Sequence, residues 1–203
     1  MIKSISFSNT EILKNILELH VKSDRFDLDP TFSKGVFYKD IPEPRFKSDL
    51  RPQVPGTIQA DCTHLPFKNN SLNSICFDPP FVLGVPNKSK DTVGSNLIKN
   101  RFGSFRTVEN LMDFYWDSLI EFERILKPGG ILVFKCMDMV SSGKQILTHC
   151  HIWEMATDAG FKSVDLFILL AKSRMSSGKW RQQLHCRKFH SYFFCFQKLG
   201  GKK

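Results

Sequence analysis

The sequence predicts an α/β protein built on one largely parallel β-sheet. Apolar strand-like runs alternate with helical patterns over most of the chain, and turn-forming residues separate them. The last two apolar runs follow each other with no helical pattern between them, which favours an antiparallel pair of strands at the end of the sheet. The chain has 203 residues and shows no internal repeat and no linker-like stretch, so we expect a single domain over residues 1–203.

The predicted strands are short and lie between turn signals. They are expected at residues 25–28, 45–48, 57–60, 73–77, 131–135, 164–170 and 191–197. Residues 83–106 are polar and interrupted by glycine and proline, which is typical of a loop.

Three helices are predicted from apolar residues at helical spacing. The first covers residues 10–21 with Thr10 as its cap, and the second covers residues 111–126 and ends at the sequence Lys127-Pro128-Gly129-Gly130. The third covers residues 143–159 and ends at Gly160. Its expected inward-facing side chains are Ile146, Leu147, Cys150 and Trp153.

The net charge of +9 resides in the last fifth of the chain. Residues 1–165 contain 20 basic and 20 acidic side chains, whereas residues 166–203 contain nine basic and no acidic ones. The nine are Lys172, Arg174, Lys179, Arg181, Arg187, Lys188, Lys198, Lys202 and Lys203. Most of them flank Trp180 between two predicted strands, which favours a nucleic-acid partner over a tail that only aids solubility.

Composition also argues against several classes of protein. No apolar run approaches the roughly 18–20 residues that span a bilayer, and the first residues lack the apolar core of a signal peptide. The six cysteines form no CxxC pair, so reduced and mostly buried thiols of a cytoplasmic protein are expected. The cysteine and histidine spacings near residues 149–151 and 185–190 match no common zinc module, so we expect no metal.

Four aspartates follow the ends of four predicted strands: Asp29, Asp49, Asp61 and Asp78. In open α/β sheets the carboxyl ends of the strands carry the ligand. Carboxylates suit a ligand with ribose hydroxyls, an ammonium group and amino-purine donors, and S-adenosylmethionine has all three. The alternative for each aspartate alone is a capped turn.

The sequence Asp78-Pro79-Pro80-Phe81 offers a carboxylate, backbone carbonyls and a flat ring at the end of a strand. Such a platform suits a planar base with an exocyclic amine. Proline lacks the N–H that would oppose an amine donor, and it fixes the backbone.

In this order of elements the chain resembles class I S-adenosylmethionine-dependent methyltransferases, specifically the DNA amino-methyltransferases with a D-P-P-[YFW] motif. Among these it is similar to the small single-domain enzymes of bacteriophages and prophages. Besides the motif at residues 78–81, the resemblance rests on residues 29–35, residues 60–67 and the superfamily-wide stretch 123–133. It implies a Rossmann-like, mostly parallel seven-stranded sheet with an antiparallel closing strand and helices on both faces.

The resemblance implies roles for particular residues. Catalysis would involve Asp78, Pro79, Pro80 and Phe81, and the cofactor would be S-adenosyl-L-methionine. Cofactor contacts are expected at Asp29, Pro30, Thr31, Phe32, Ser33, Gly35, Asp49, Asp61 and Cys62. One departure is that Ser33 occupies the place of a family glycine, so that Lys135 or the first helix would help to hold the methionine end.

Two basic segments are expected to contact nucleic acid. The loop after the motif contributes Lys88, Lys90, Arg101 and Arg106, with phenylalanines interleaved. The segment 172–190 contributes Lys172, Arg174, Lys179, Trp180, Arg181, Arg187 and Lys188. Phosphate contacts give affinity but little sequence reading, and no separate target-recognition domain is expected, so specificity would be short or relaxed, or achieved through a dimer.

The expected reaction is transfer of a methyl group from S-adenosylmethionine to N6 of adenine in DNA. Three alternatives remain open at this point. They are cytosine-N4 methylation of DNA, adenine-N6 methylation of RNA, and a nucleic-acid-binding relative with impaired catalysis.

Overall fold

The computed structural model of the protein describes residues 1–81, 83, 105–173 and 183–200. The strands are β1 (Ile5–Ser6), β2 (Leu28–Asp29), β3 (Phe46–Asp49), β4 (Ile58–Gln59), β5 (Leu72–Phe77), β6 (Leu126–Cys136), β7 (Met139–Ser141), β8 (Lys144–Ile146), β9 (Phe161–Leu170) and β10 (His190–Lys198). The α-helices are α1 (Asn9–Ile16), α2 (Val108–Ile125) and α3 (Thr148–Asp158). A π-helical turn, Leu17–Val21, extends α1, and a 3₁₀ turn, Val36–Tyr38, follows β2.

Eight strands form one sheet in the order β1-β9-β10-β6-β5-β2-β3-β4. Every neighbouring pair is parallel except the two pairs made by β10, which runs antiparallel to both β9 and β6. The chain moves from β2 outwards through β3 and β4, then crosses back to place β5 on the other side of β2. The strand order therefore reverses between β2 and β5, and α/β sheets bind their ligands at such a point.

Both faces of the sheet are covered. One core contains Ile75 and Phe77 of β5 packed against α2 and α3, and the other contains Cys76 of the same strand packed with residues of α1. Because successive side chains of a strand point to opposite faces, the apolar run at residues 75–77 of β5 is buried on both sides of the sheet.

The predicted fold class is confirmed, with one strand more than expected. The additional strand is β1, a two-residue strand that pairs with β9 at the edge of the sheet and is too short to leave a pattern in the sequence. The first helix begins at Asn9 and is capped by Ser8, whose hydroxyl accepts a hydrogen bond from the Glu11 N–H at 3.3 Å, rather than by Thr10.

The third predicted helix was wrong in its start and in its inward face. Residues 139–146 form the hairpin β7–β8, because Gly143 adopts a positive φ of 74° that makes a tight turn. The helix begins only at Thr148, and Ile152 and Ala156, four residues apart, supply its buried face. The residues expected inside are instead largely outside: Leu147 and Trp153 are exposed, Cys150 is exposed and Ile146 is half-buried.

Four of the six cysteines, Cys62, Cys76, Cys136 and Cys195, are buried free thiols, and Cys150 and Cys186 are exposed. Among the helices that the structure describes, none has the length and apolar character needed to cross a bilayer.

Candidate active site

Three charged side chains meet at the carboxyl edge of the sheet, at the end of three neighbouring strands. Asp29 ends β2, Asp78 follows β5, and Lys135 lies near the end of β6. Phe77 pairs with Phe134 in the β5–β6 register, so the next residue of each strand, Asp78 and Lys135, come side by side. This edge contains the reversal point of the sheet.

A pocket of about 320 Å³ opens beside these strand ends. It is lined by Asn9, Asp29, Thr31, Phe32, Ser33, Lys34, Val36, Phe37, Tyr38 and Asp78. The lining thus joins the first residue of α1, the turn after β2 and the motif after β5. Four of the predicted cofactor residues and the predicted catalytic carboxylate share this one cavity.

Asp29 is buried at the floor of the pocket and is held by three donors. The Thr31 N–H donates to its Oδ1 at 2.8 Å, the Thr31 hydroxyl donates to the same oxygen at 3.2 Å, and the Tyr38 hydroxyl donates to Oδ2 at 2.8 Å. Burial outweighs these bonds and, with the nearby Asp78 carboxylate, raises the pKa of Asp29 to about 7. Its charge is therefore sensitive to what enters the pocket.

The backbone of the motif is fixed from two sides. The Asp78 N–H donates to the Thr31 hydroxyl at 3.1 Å, which ties the motif to the turn after β2. The Tyr115 hydroxyl of α2 donates to the Pro80 carbonyl at 3.1 Å. Pro79 is buried, and Phe81 is half-buried.

The Asp78 carboxylate is only partly satisfied. Its Oδ1 is shielded from solvent and has no hydrogen-bond donor among the described residues, although the Lys135 Nζ lies 3.3 Å away in poor alignment. The Lys135 Nζ donates to Oδ2 at 3.5 Å. Burial raises the pKa of Asp78 above its ordinary value, and the Lys135 ammonium opposes that rise.

The turn after β2 contains two residues in the left-handed region of backbone conformation, Ser33 and Gly35. Ser33 adopts a φ of 50°, in the left-handed region that favours glycine, and its N–H donates to Asp49 Oδ2 at 2.9 Å. Gly35 has a φ of 65°, and a Cβ at this residue would lie 2.6 Å from the Phe32 ring. Ser33 therefore adopts a backbone conformation that glycine favours. Gly35 is needed both for its positive φ and for its lack of a side chain.

The other two strand-end aspartates organise turns beside the pocket. Asp49 also accepts from the Arg51 N–H at 2.7 Å, and Asp61 accepts from the N–H and the hydroxyl of Thr63, each at 2.9 Å. Asp61 is exposed. The Cys62 thiol is buried beside the Ser118 hydroxyl at 3.6 Å, and burial raises its pKa to about 12. A ligand contact by Cys62 would thus come from its backbone.

Only part of the predicted nucleic-acid surface lies in the described residues. Arg106, Lys172 and Arg187 are exposed, and Lys188 is half-buried with its Nζ 3.2 Å from the Cys186 sulfur. Lys88, Lys90, Arg101, Arg174, Lys179, Trp180 and Arg181 lie outside the described residues. Leu83 and Phe105, on either side of residues 84–104, form a β-bridge.

One of the nine basic residues has a structural role. Lys198 is buried, and its Nζ donates to Asn70 Oδ1 at 2.9 Å and to the Leu126 carbonyl at 3.0 Å, beside the Glu123 carboxylate at 3.0 Å. It anchors β10 to the end of α2 and does not belong to a phosphate-binding surface.

Sequence reasoning missed three groups that shape the site. Asn9 contributes a buried Oδ1 that has no hydrogen-bond partner within the described part of the chain, Tyr38 holds Asp29, and Tyr115 holds the motif. Asn9 and Tyr115 carried no signal, because each sits in a helix far from the motif in sequence. Among the described residues, no group of three or more His, Cys, Asp and Glu side chains could hold a metal ion.

No protein-family model matches this chain, and neither does any curated protein sequence. Solved structures do match its shape. One is a 1,6-didemethyltoxoflavin N1-methyltransferase of Burkholderia thailandensis with bound 1,6-didemethyltoxoflavin and S-adenosylhomocysteine. The TM-score is 0.57 at 12% identity, over 96% of this chain and 80% of that one. Another is the [4+2]-cyclase SpnF, with a TM-score of 0.56 at 12% identity, over 95% and 81%.

A third match is the PvuII DNA methyltransferase, described as cytosine-N4-specific, with a TM-score of 0.48 at 17% identity, over 68% of this chain and 47% of that one. The chain spans about half the length of the DNA-modifying structures it matches. Since a cyclase has a similar fold, the fold alone does not determine which reaction the site performs. The comparisons and the sheet order together give the chain the Rossmann-like fold of class I methyltransferases.

Proposed function

We propose that this protein transfers a methyl group from S-adenosylmethionine to an exocyclic base amine in nucleic acid, with N6 of adenine in DNA as the first candidate. The observation that carries the proposal is the Asp78 Oδ1, which follows β5 at the reversal point of the sheet and accepts no hydrogen bond from the described residues. The Lys135 ammonium lies 3.3 Å from Oδ1 and compensates part of its charge, and an amine that donates to Oδ1 would supply the hydrogen bond that a buried acceptor requires.

The pocket residues fit S-adenosylmethionine. Besides Asp78, the Asn9 Oδ1 is a buried acceptor without a partner, and Asp29 lies in the same cavity. Asn9 and Asp29 would hold the ammonium-bearing end, while Asp49 and Asp61 would meet the ribose hydroxyls and the adenine. When bound, this cofactor supplies an electrophilic methyl group on a sulfonium.

The chain's own residues would act on the amine by accepting hydrogen bonds from it. The nitrogen would bond to the methyl carbon as the carbon–sulfur bond breaks, S-adenosylhomocysteine would leave, and the extra proton on the nitrogen would pass to solvent. The exocyclic amine is a weak nucleophile because its lone pair is shared with the ring. Asp78 and the Pro79 carbonyl would accept from its two N–H groups, which directs the lone pair out of the ring plane. As the nitrogen becomes positive in the transition state, these acceptors bind it more strongly, so they lower the barrier. Phe81 would stack on the base.

Nucleic acid is favoured as the carrier of the base by charge. Residues 166–203 contain nine basic side chains and no acidic ones, and eight remain when the buried Lys198 is set aside. A base inside a duplex cannot reach a cavity of this kind, so it has to be flipped out or come from a single strand. The basic residues expected in the loop 83–106, Lys88, Lys90, Arg101 and Arg106, would contact the flipped base or its strand.

The alternatives differ in substrate or in catalysis. Cytosine N4 and the N6 of adenine in RNA would present an amine with the same donors to Asp78. A binding protein without catalysis would need neither Asp78 nor the cofactor. The left-handed Ser33 argues against loss of the cofactor loop, because the backbone keeps the required shape at an energetic cost.

The test is incubation of the protein with labelled S-adenosylmethionine and either DNA or RNA, followed by mass spectrometry of the nucleosides. Asp78→Ala should abolish methyl transfer while calorimetry shows that the cofactor still binds. The matched control is Asp113→Ala, which removes an exposed carboxylate from α2. Methyl transfer by Asp78→Ala at the wild-type rate would contradict the proposed mechanism.

A further inference from the structure

Lys135 is buried in the wall of the candidate site. Only 11% of its side chain is exposed, and its Nζ lies 3.3 Å and 3.5 Å from the two oxygens of Asp78. The β6–β10 register places Phe193 directly across from it. Its Nζ lies 4.5 Å from the ring centroid of Phe37 and 5.4 Å from that of Phe193.

A buried ammonium is stable only if its surroundings compensate for lost water. Here two aromatic faces and one carboxylate do so, and removing one partner of a buried ion pair leaves the other uncompensated. Lys135 and Asp78 are therefore dependent on each other, although they belong to different strands.

The groups that face Asp78 come from four elements. They are Asp29 after β2, Cys76 on β5, Tyr115 on α2 and Lys135 on β6. Burial raises the pKa of Cys76 and that of Tyr115 well above their ordinary values, so both are neutral. Asp29 repels a second negative charge. Among these described groups, Lys135 alone supplies a positive charge to Asp78.

We propose that Lys135 is a positioning residue for the methyl transfer proposed above. Its ammonium keeps the half-buried Asp78 carboxylate ionised and fixes its orientation, while the remaining lone pairs of Oδ1 accept from the base amine. A carboxylate has about four lone-pair sites, so it can serve both partners at once. The inference rests on the proposed function and adds to it the group that keeps the acceptor negatively charged.

The direct test measures the Asp78 carboxyl itself. Carboxyl ¹³C NMR titration of the full chain, with the Asp78 signal assigned by its loss in Asp78→Asn, gives its midpoint without any substrate. In Lys135→Met, which keeps an unbranched apolar stem, the midpoint should rise by a unit or more, which lowers the ionised fraction about tenfold at pH values well below the midpoint. Lys135→Arg should restore the wild-type midpoint. Lys127→Met, on the same strand but exposed, should leave it unchanged.

The second test uses the rate of transfer. In Lys135→Met the acid limb of the pH profile of kcat/KM should move to higher pH by the same amount, with about a tenfold loss on the acid limb and recovery at pH values above the midpoint. An unchanged midpoint or an unmoved acid limb overturns the inference. A wild-type protein that methylates neither DNA nor RNA refutes the proposed function instead, and the NMR titration still decides on the pairing. A folded far-ultraviolet circular dichroism spectrum of each variant is required first.

Discussion

Asp29 and Asp78 share one pocket, and their proximity makes each harder to ionise. Burial and the neighbouring Asp78 raise the pKa of Asp29 to about 7, while Lys135 restrains the rise at Asp78. A cationic or amine-bearing ligand is the natural partner of such a pair, because it satisfies both carboxylates. The ionisation of Asp29 and Asp78 thus depends on the neighbouring charged groups as well as on burial.

Asp29 makes stability depend on pH in a defined direction. The pKa of Asp29 is about 7 in the folded chain and near 4 in the unfolded chain, so unfolding between these pH values releases a proton. The contribution of Asp29 to the free energy of unfolding therefore falls as pH rises from about 4 to 7. We predict that wild-type unfolding free energy falls between pH 5 and pH 8 by roughly 2–4 kcal/mol more than that of Asp29→Asn. Urea titrations at both pH values measure this.

The control for that measurement is Asp40→Asn, since Asp40 is exposed. It should keep the wild-type dependence on pH. The same ionisation predicts that S-adenosylhomocysteine binds more tightly at pH 8 than at pH 6 in wild type but not in Asp29→Asn. Equal pH slopes for wild type and Asp29→Asn would contradict this account of Asp29.

Gly35 offers a separable test of the cofactor turn. A Cβ at residue 35 would meet the Phe32 ring at 2.6 Å and would occupy a φ of 65°, whereas Gly56, with a φ of 75°, has no atom within 4 Å of the same position. Gly56→Ala should therefore cost about 1–2 kcal/mol from backbone conformation alone. Gly35→Ala should cost more and should also weaken cofactor binding, as measured by urea unfolding and calorimetry. Equal costs for the two variants would show that Phe32 gives way.

At the scale of elements, α2 supports the motif from across the pocket wall. Tyr115 is fully buried, and its hydroxyl reaches the Pro80 carbonyl. The same helix holds residues 65–69 through Arg124, which donates to the carbonyls of Leu65 and Phe67 and pairs with Glu121. One helix thus links the motif after β5 to the turn that carries Asp61.

Tyr115→Phe removes the hydroxyl and leaves the ring packing intact. We predict a stability loss of about 1 kcal/mol and a several-fold drop in kcat with little change in cofactor affinity, because the Pro80 carbonyl loses its donor. Steady-state kinetics and calorimetry measure the two. Tyr192→Phe is the matched control, since its hydroxyl donates to Asp138 instead. A larger effect on cofactor affinity than on kcat would argue against support of the motif.

The sequence predicted elements well where its pattern was strong and poorly where tertiary contacts decide. Periodic apolar residues predicted α2, and the apolar run at residues 75–77 predicted β5 to within a residue. The start of α3 was missed because the apolar residues of the hairpin β7–β8 also fit helical spacing, so the turn at Gly143 was included in the predicted helix. Two of the four strand-end aspartates, Asp29 and Asp78, line the pocket, whereas Asn9 reaches the pocket and Tyr115 reaches the motif only through packing.

At the scale of the whole molecule, the excess of positive charge is concentrated in one part of the chain, residues 166–203. The first 165 residues balance, and the excess follows them. A polyanion bound by that excess should release counterions, so the logarithm of its binding constant should fall linearly with the logarithm of salt concentration.

Exposed basic residues outside the motif test this directly. Lys172→Ala and Arg187→Ala should each reduce the magnitude of the salt slope of DNA binding by about 1. Lys14→Ala, an exposed lysine on α1 in the balanced part of the chain, is the control and should leave the slope unchanged. Fluorescence anisotropy over a range of salt concentrations measures the slopes. Unchanged slopes in all three variants would place the polyanion elsewhere.

In the proposed mechanism, Asp78 presents a base amine for methylation. This role is tested by nucleoside mass spectrometry after incubation with labelled S-adenosylmethionine and DNA. We predict labelled N6-methyladenine with wild type and Asp113→Ala, and none with Asp78→Ala that still binds the cofactor. Absence of any labelled nucleoside from DNA and RNA with the wild-type protein, or equal labelling by Asp78→Ala, would contradict the claim.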